Sequence, residues 1–357
     1  MADAASGTRR YAGRVLIAVA LGAALVVVLY LFQQLAEALL LVFAGVLFAV
    51  ALDGLAAWLS ARSGLARGWS LTIIAIAVPI LLAAAAWLAG PRIADQAGRL
   101  HEHIPTAVEQ VKSSLTQVGW VRSFAEGVSL EKLLAPGTGI VGRITGIFSS
   151  AFGVALGSLV ILFTGVFLAI EPDLYIDGAI RLVPAARRDR ARQVVTKLGQ
   201  ALRWWLVGRF ASMVAVGVLT VVGLFIVGVP LALTLGLLAA LLAFVPLIGP
   251  VLSVVPAALI ALLDSPVKAI YVVLVYVGVQ ALEGNLITPL IQKQAVSLPP
   301  AVLLVAQLLL AVMFGWVGVL LCTPLLVAII VLVQMLYVED VLGDAVTVLG
   351  EHGGSDN

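Results

Sequence analysis

Apolar residues in this chain come in runs longer than soluble helices or strands use. Val15–Phe32 carries no charge over 18 residues, and Leu35–Leu52 follows after Gln33 and Gln34 with Glu37 as its only charge. Trp69–Gly90 (interrupted by Pro79), Ile147–Ile170 and Trp204–Val227 (carrying Arg209) repeat the pattern. The regions 230–263, 267–288 and 300–336 are again apolar. A membrane-spanning helix needs about 20 mostly apolar residues. The pattern therefore predicts an all-α fold, a polytopic membrane helix bundle. Gln33–Gln34 reads as the turn between the first two spans, and Met1–Arg14 as a short polar tail rather than a cleaved leader.

The C-terminal half is patterned differently. As one helix, 230–263 would be about 51 Å long. That is too long for one crossing of a ~30 Å hydrocarbon core and short for two crossings with a turn. Its centre reads Phe244-Val-Pro-Leu-Ile-Gly-Pro250, where Pro246, Gly249 and Pro250 do not continue a helix. Residues 299–336 repeat the scheme, with Pro299 and Pro300 at the start, Gly315 and Gly318 midway and Pro324 beyond. Backbone groups freed at membrane depth must meet protein, water or an ion, and paired breaks in corresponding positions point to a transport path. Both regions can be drawn as broken spans or as re-entrant hairpins. The predicted organisation is a five-span scaffold over 1–227, a transport unit over 228–340 and an acidic cytoplasmic tail over 341–357.

Between the two breaks lies Gln280-Ala-Leu-Glu-Gly-Asn-Leu-Ile-Thr-Pro289. A carboxylate at the bilayer centre costs about 2.5–3.5 kcal/mol and usually handles ions or protons, which makes Glu283 the leading candidate. Gln280 shares its helix face, Asn285 and Thr288 add polar groups, and Pro289 removes one helical hydrogen bond. The plainer alternative is a Glu283 at the end of its span, reaching the interface. Arg209, five residues into its span, reads as snorkelling to the interface rather than pairing inside the bundle. Gln307 is a candidate for a hydrogen bond across helices.

Composition and charge narrow the class. With 62% hydrophobic and 11% charged residues and a mean hydropathy of +1.15, the chain cannot cover itself with a water-soluble surface. A net charge of +2 gives no footing for a nucleic-acid partner. The single cysteine, Cys322, allows no internal disulfide. Placing the N-terminus inside puts twelve Lys and Arg in the cytoplasmic segments and none in the short outer loops, so both termini are expected in the cytoplasm. Arg187, Arg188, Arg190 and Arg192 read as topology anchors of a basic segment, 171–203. Its stripe Val194, Val195, Leu198, Leu202 and Trp205 predicts an interfacial helix on anionic lipid. The outer segment 91–146 carries a helical stripe, Ile104, Val108, Val111, Leu115 and Val118, expected to lie on the membrane face or a neighbouring subunit. His101 and His103 do not share a helix face and lack further ligands, so no metal is expected. No His-Glu-x-x-His, Gly-x-x-x-x-Gly-Lys-Ser/Thr or intramembrane Ser/His pair occurs. Neither an enzyme nor a cofactor is expected.

Taken in order, Phe244–Pro250, Gln280-x-x-Glu-x-Asn-x-x-x-Pro289, Leu298-Pro-Pro300, Gly315-x-x-Gly318 with Pro324, and Glu171-Pro-Asp followed by the Arg-rich loop and Gly208-Arg209 resemble the autoinducer-2 exporter family. The resemblance runs from about Val15 to Asp344. It implies a bacterial inner-membrane secondary transporter acting as a homo-oligomer, with a pentamer among the candidate states. Its motif residues fall on Pro246, Gly249, Pro250, Glu283, Asn285 and Pro289. Family members are associated with export of autoinducer-2, and others with sodium/proton antiport, so the substrate stays open. A structural or channel-like oligomer, with the breaks as mere kinks, is the remaining alternative.

Overall fold

The computed structural model describes residues 2–81, 84, 151–288 and 299–344, with side chains from Val27 in the first helix and from Gly157 after the intervening stretch. The stripe and histidines of 91–146, Pro289 and the tail beyond Asp344 lie outside the described residues. Among the described residues every regular element is a helix.

Helix α1, Ala2–Ser63, is continuous over 62 residues, about 93 Å at 1.5 Å per residue. The expected turn at Gln33–Gln34 is absent. Glutamine is a good helix former, no Gly or Pro stands there, and both side chains find partners on a helix. Gln33 Nε2 donates to the Met313 carbonyl at 3.3 Å and Gln34 Nε2 to the Tyr30 hydroxyl at 3.0 Å. Polarity at this point therefore serves a tertiary contact and not a loop. Without that turn, the count of alternating charged loops loses its first step.

Gly64, with φ of 70°, turns the chain into α2, Arg67–Leu81, and an Arg67–Asp53 ion pair at 2.5 Å ties the two helices. Helix α3, Ala151–Ile170, packs on α1 through small residues. A Cβ at Gly165 would stand 2.5 Å from Phe48 Cδ1, and one at Gly45 2.7 Å from Thr164. Such close approach is how helices associate where lipid removes the hydrophobic drive. The chain then bends by 89° into α4, Pro172–Arg181.

Helix α5, Arg188–Val227, runs for 40 residues, about 60 Å. This corrects the in-plane interfacial helix, because the basic stretch is the first part of the same helix that carries the span. The stripe meets protein instead of lipid. Val194, Leu202 and Trp205 are buried against Leu40, Ala44, Val331 and Met335. The arginines also have protein partners: Arg188 caps the Val183 and Arg181 carbonyls, Arg192 pairs with Asp177, and Arg190 binds Glu339 at 2.8 Å, Asp340 at 2.9 Å and the Met335 carbonyl at 2.9 Å. Hydrogen bonds to Glu339 and then Asp340 raise the Arg190 guanidinium above its ordinary range. Arg190→Ala is expected to lower stability by only about 1 kcal/mol or less, and less still at high salt, because the cluster is solvent-screened; unfolding midpoints at two ionic strengths check this.

The region 230–263 is a hairpin. Helix α6, Ala232–Leu242, and helix α7, Ile248–Asp264, flank the break, and the two ends of the region meet again where Lys268 Nζ reaches the Gly228 carbonyl at 3.5 Å. Helix α8, Pro266–Leu282, is capped by the Ser265 hydroxyl, which accepts from the Lys268 N–H. It runs antiparallel to α5, with Val275 against Gly223, and ends in a π-helical turn, Glu283–Ile287. Helix α9, Pro300–Val333, continues as a π-helical stretch to Leu342. At Gly315 (φ 59°, ψ −139°) it doubles back. A Cβ on Gly318 would stand 2.3 Å from the Leu310 carbonyl oxygen, eight residues earlier and about 12 Å away on a straight helix. Both interrupted regions therefore fold back as the breaks in the sequence allow.

Among the described residues four helices are long and apolar enough to cross a membrane, or five if the bent pair α3–α4 counts as one span. Side chains such as Phe225, Ile226 and Val312 are more than three-quarters exposed, as expected of a lipid-facing surface. The chain is a multi-pass membrane protein. Two cores share α5: its first half packs with α1 and the second arm of α9, and its second half with α6, α7 and α8.

Candidate transport site

The tip of the first hairpin is built from strained backbone. Leu247 sits at φ 68°, ψ −54°, and the Ile248 N–H donates to the Pro246 carbonyl at 2.8 Å. This is a γ-turn with positive φ, a rare conformation for a branched side chain. Gly249 follows at the point of closest approach, where a Cβ would stand 1.8 Å from the Leu242 carbonyl oxygen.

Helix α5 meets this tip with three residues on one face. Trp205 packs edge-on against Phe244, ring centroids 5.7 Å apart. One turn later Arg209 donates through Nε to the Phe244 carbonyl at 3.1 Å and through Nη1 to Glu283 Oε1 at 3.3 Å. Ser212 then donates to the same Oε1 at 2.5 Å. From the other side Gln307 Nε2 donates to the Pro246 carbonyl at 2.9 Å. The carbonyls that the break frees are thus satisfied by two long polar side chains, as a break away from water requires.

Arg209 is 5% exposed and Glu283 7%. Arg209 therefore does not snorkel; it pairs inside the bundle. At this depth a lone charge would be expensive, so the ion pair and its added hydrogen bonds are mutually dependent. Glu283 is buried in the bundle, not at the interface. Gln307 reaches across to the turn between α6 and α7 and not to another helix.

The other polar candidates do not gather around Glu283. The Asn285 amide donates to the Ala281 carbonyl of its own helix at 2.9 Å and stays exposed. Gln280 and Thr288 are half-buried. Pro250 accepts from the Ser253 hydroxyl through its carbonyl at 2.9 Å. Pro324 is buried in the second arm of α9, near Cys322 and Thr323 in sequence. Ser212 is the site residue that sequence reading passes over, because a serine in an apolar helix carries no signal until its neighbour is known. Spacing held a trace of it: Trp205, Arg209 and Ser212 recur at i, i+4 and i+7.

A family model described as AI-2E family transporter matches residues 16–337. Among curated proteins, the Bacillus subtilis protein YueF, a transport protein by name, is 26% identical over 273 residues, covering 72% of this chain and 73% of its own. The Escherichia coli protein PerM, a permease by name, is 26% identical over 301 residues, covering 79% and 84%. A Mycobacterium tuberculosis protein also named for transport is 31% identical over 201 residues, covering 55% and 53%.

Proposed function

As a member of the AI-2E transporter family this chain is a membrane transporter, and we propose that it is an ion-coupled secondary transporter exporting a small polar solute such as autoinducer-2. The observation that carries this reading is the guanidinium of Arg209, held at once by Glu283 and by the Phe244 carbonyl of the hairpin tip. A proton arriving on Glu283 removes the countercharge of Arg209. The guanidinium must then find other acceptors, and its bond to the tip is the other one it holds. Protonation at Glu283 is thereby linked to the geometry of the break, which lies on the path drawn for the solute. The transport role sits in 228–340 together with Arg209 and Ser212 of α5, supported on the rest of 1–227.

The second reading is sodium/proton antiport. It is favoured by the oxygens around the pair, the Ser212 hydroxyl on the Glu283 carboxylate and the Phe244 carbonyl on the same guanidinium, which suit a hard cation. In either case the basic start of α5 and the end of α9 share one face through Arg190, Glu339 and Asp340. We place that face in the cytoplasm of a bacterial cell, at the inner membrane, by its arginines. The homo-oligomer, with a pentamer as the implied form, is part of the same proposal, and native mass spectrometry checks it.

The test uses purified protein in liposomes with a pH dye inside, challenged separately with autoinducer-2 and with sodium. Glu283→Gln is expected to abolish solute- or sodium-dependent proton movement. Because it leaves Arg209 buried without its countercharge, the double variant Arg209→Met with Glu283→Gln, which removes both charges, is run beside it to separate loss of coupling from loss of fold. Proton movement equal to the parent would overturn the reading. A response to sodium alone would select antiport.

A further inference from the structure

A second set of buried polar groups lies beyond Glu283 on the same helices. The register of α5 against α8 follows from Ser212 facing Glu283, Gly223 facing Val275 and Gly228 facing Lys268. In that register Thr220 stands level with Tyr276. Thr220 is fully buried and its hydroxyl has no hydrogen-bond partner, while Tyr276, 6% exposed, has only the Ser253 hydroxyl beside its own. Thr220 does not even bond back to the carbonyl one turn earlier, the usual recourse of a threonine in a helix. Ser253 of α7, 1% exposed, brings its hydroxyl beside Tyr276 and donates to the Pro250 carbonyl.

Thr220 thus lies level with the Tyr276–Ser253 pair, about 10–12 Å along the bundle from Glu283, toward the end where Asp264, Lys268 and Gly228 meet. Leaving a buried hydroxyl unpaired costs about 1–3 kcal/mol, and an apolar residue of the same shape would avoid the cost. We propose that Thr220, Tyr276 and Ser253 form a hydrated station that carries protons to Glu283 from the Lys268 end of the bundle. This inference rests on the ion-coupled reading above. Each hydroxyl both accepts and donates. A proton taken up at the Lys268 end passes along hydroxyls and water by exchange of O–H bonds, each oxygen receiving one proton and releasing another. The last transfer forms the O–H bond on Glu283 and breaks its pair with Arg209. Three or four waters at ~2.8 Å spacing span the distance between the station and the carboxylate. Among the described residues Arg209 is the charged group facing Glu283. Helices α6 and α9 carry no charge, and α7 carries only Asp264, at the far end. With the basic end of α5 in the cytoplasm, the Lys268 end is the outer face. The route then admits protons inward, the direction that drives export.

Thr220→Val and Tyr276→Phe remove the hydroxyls with little change of shape. A packing role predicts equal or higher stability and unchanged transport. The station predicts equal or higher stability with coupled proton uptake slowed by about tenfold or more. Normal uptake in both variants overturns the proposal. A second measurement needs no substrate. In a Cys322→Ala background, Ser253→Cys is expected to react with silver ion at least about tenfold faster than Ala257→Cys, which is equally buried one turn along the same face. Equal protection of both thiols overturns the route. Should Glu283→Gln keep normal proton uptake, the coupling reading falls, and the silver comparison still decides whether water reaches the station.

Discussion

Arg209→Met is expected to destabilise the protein by about 3–5 kcal/mol, because it leaves the Glu283 carboxylate buried without its countercharge. Glu283 is 7% exposed and keeps only the Ser212 hydroxyl at 2.5 Å once the guanidinium is gone. The double variant Arg209→Met with Glu283→Gln is expected to regain most of that stability, since neither charge then has to be desolvated. It should not regain transport, because the group that takes the proton is absent. Unfolding in mixed micelles, run as a four-member cycle, measures the coupling energy. Additive single effects would show that the pair contributes nothing to the fold. Recovery of transport in the double variant would show that it contributes nothing to function.

Gly249→Ala is expected to abolish the folded protein or leave it inactive. Its Cβ would stand 1.8 Å from the Leu242 carbonyl oxygen and 2.5 Å from the carbonyl carbon, both backbone atoms of the opposing arm. Relief means opening the hairpin, which would withdraw the Phe244 carbonyl from Arg209 and the Pro246 carbonyl from Gln307. The control is Gly278→Ala, where an added Cβ meets nothing within 4 Å. There the gain in helix propensity, about 1 kcal/mol, should raise stability slightly. Yield of monodisperse protein and transport rate, compared for the two variants, check the expectation. Similar behaviour of both would mean the hairpin tip tolerates opening.

These two expectations differ in how much of them the sequence already contained. Gly249 was legible: a glycine between prolines in an apolar run has few other uses, and the break it marks is local. Glu283 was legible for the same reason, as a carboxylate deep in an apolar run. Gln33 and Gln34 misled, because polarity in an apolar stretch marks either a loop or a tertiary contact, and only the presence of Met313 beside Gln33 tells which. Arg209 misled in the same way. Its length lets it reach either water or a partner, and the partner is 74 residues away.

What the sequence by itself determined is the medium and the places where helices must fail. Both depend on nearest neighbours: apolar length sets partition into the bilayer, and Pro and Gly remove local hydrogen bonds or release backbone freedom. What only the tertiary structure decided is the company each polar group keeps. The first break became a hairpin because its ends meet at Gly228 and Lys268. The long arginine became half of a buried pair because α8 presents Glu283 beside it. Ser212, Thr220 and Tyr276 gained meaning only through the register of α5 against α8. A buried charge or hydroxyl is stabilised by whatever faces it across the interface, and that is a property of packing over tens of residues, which no local pattern encodes.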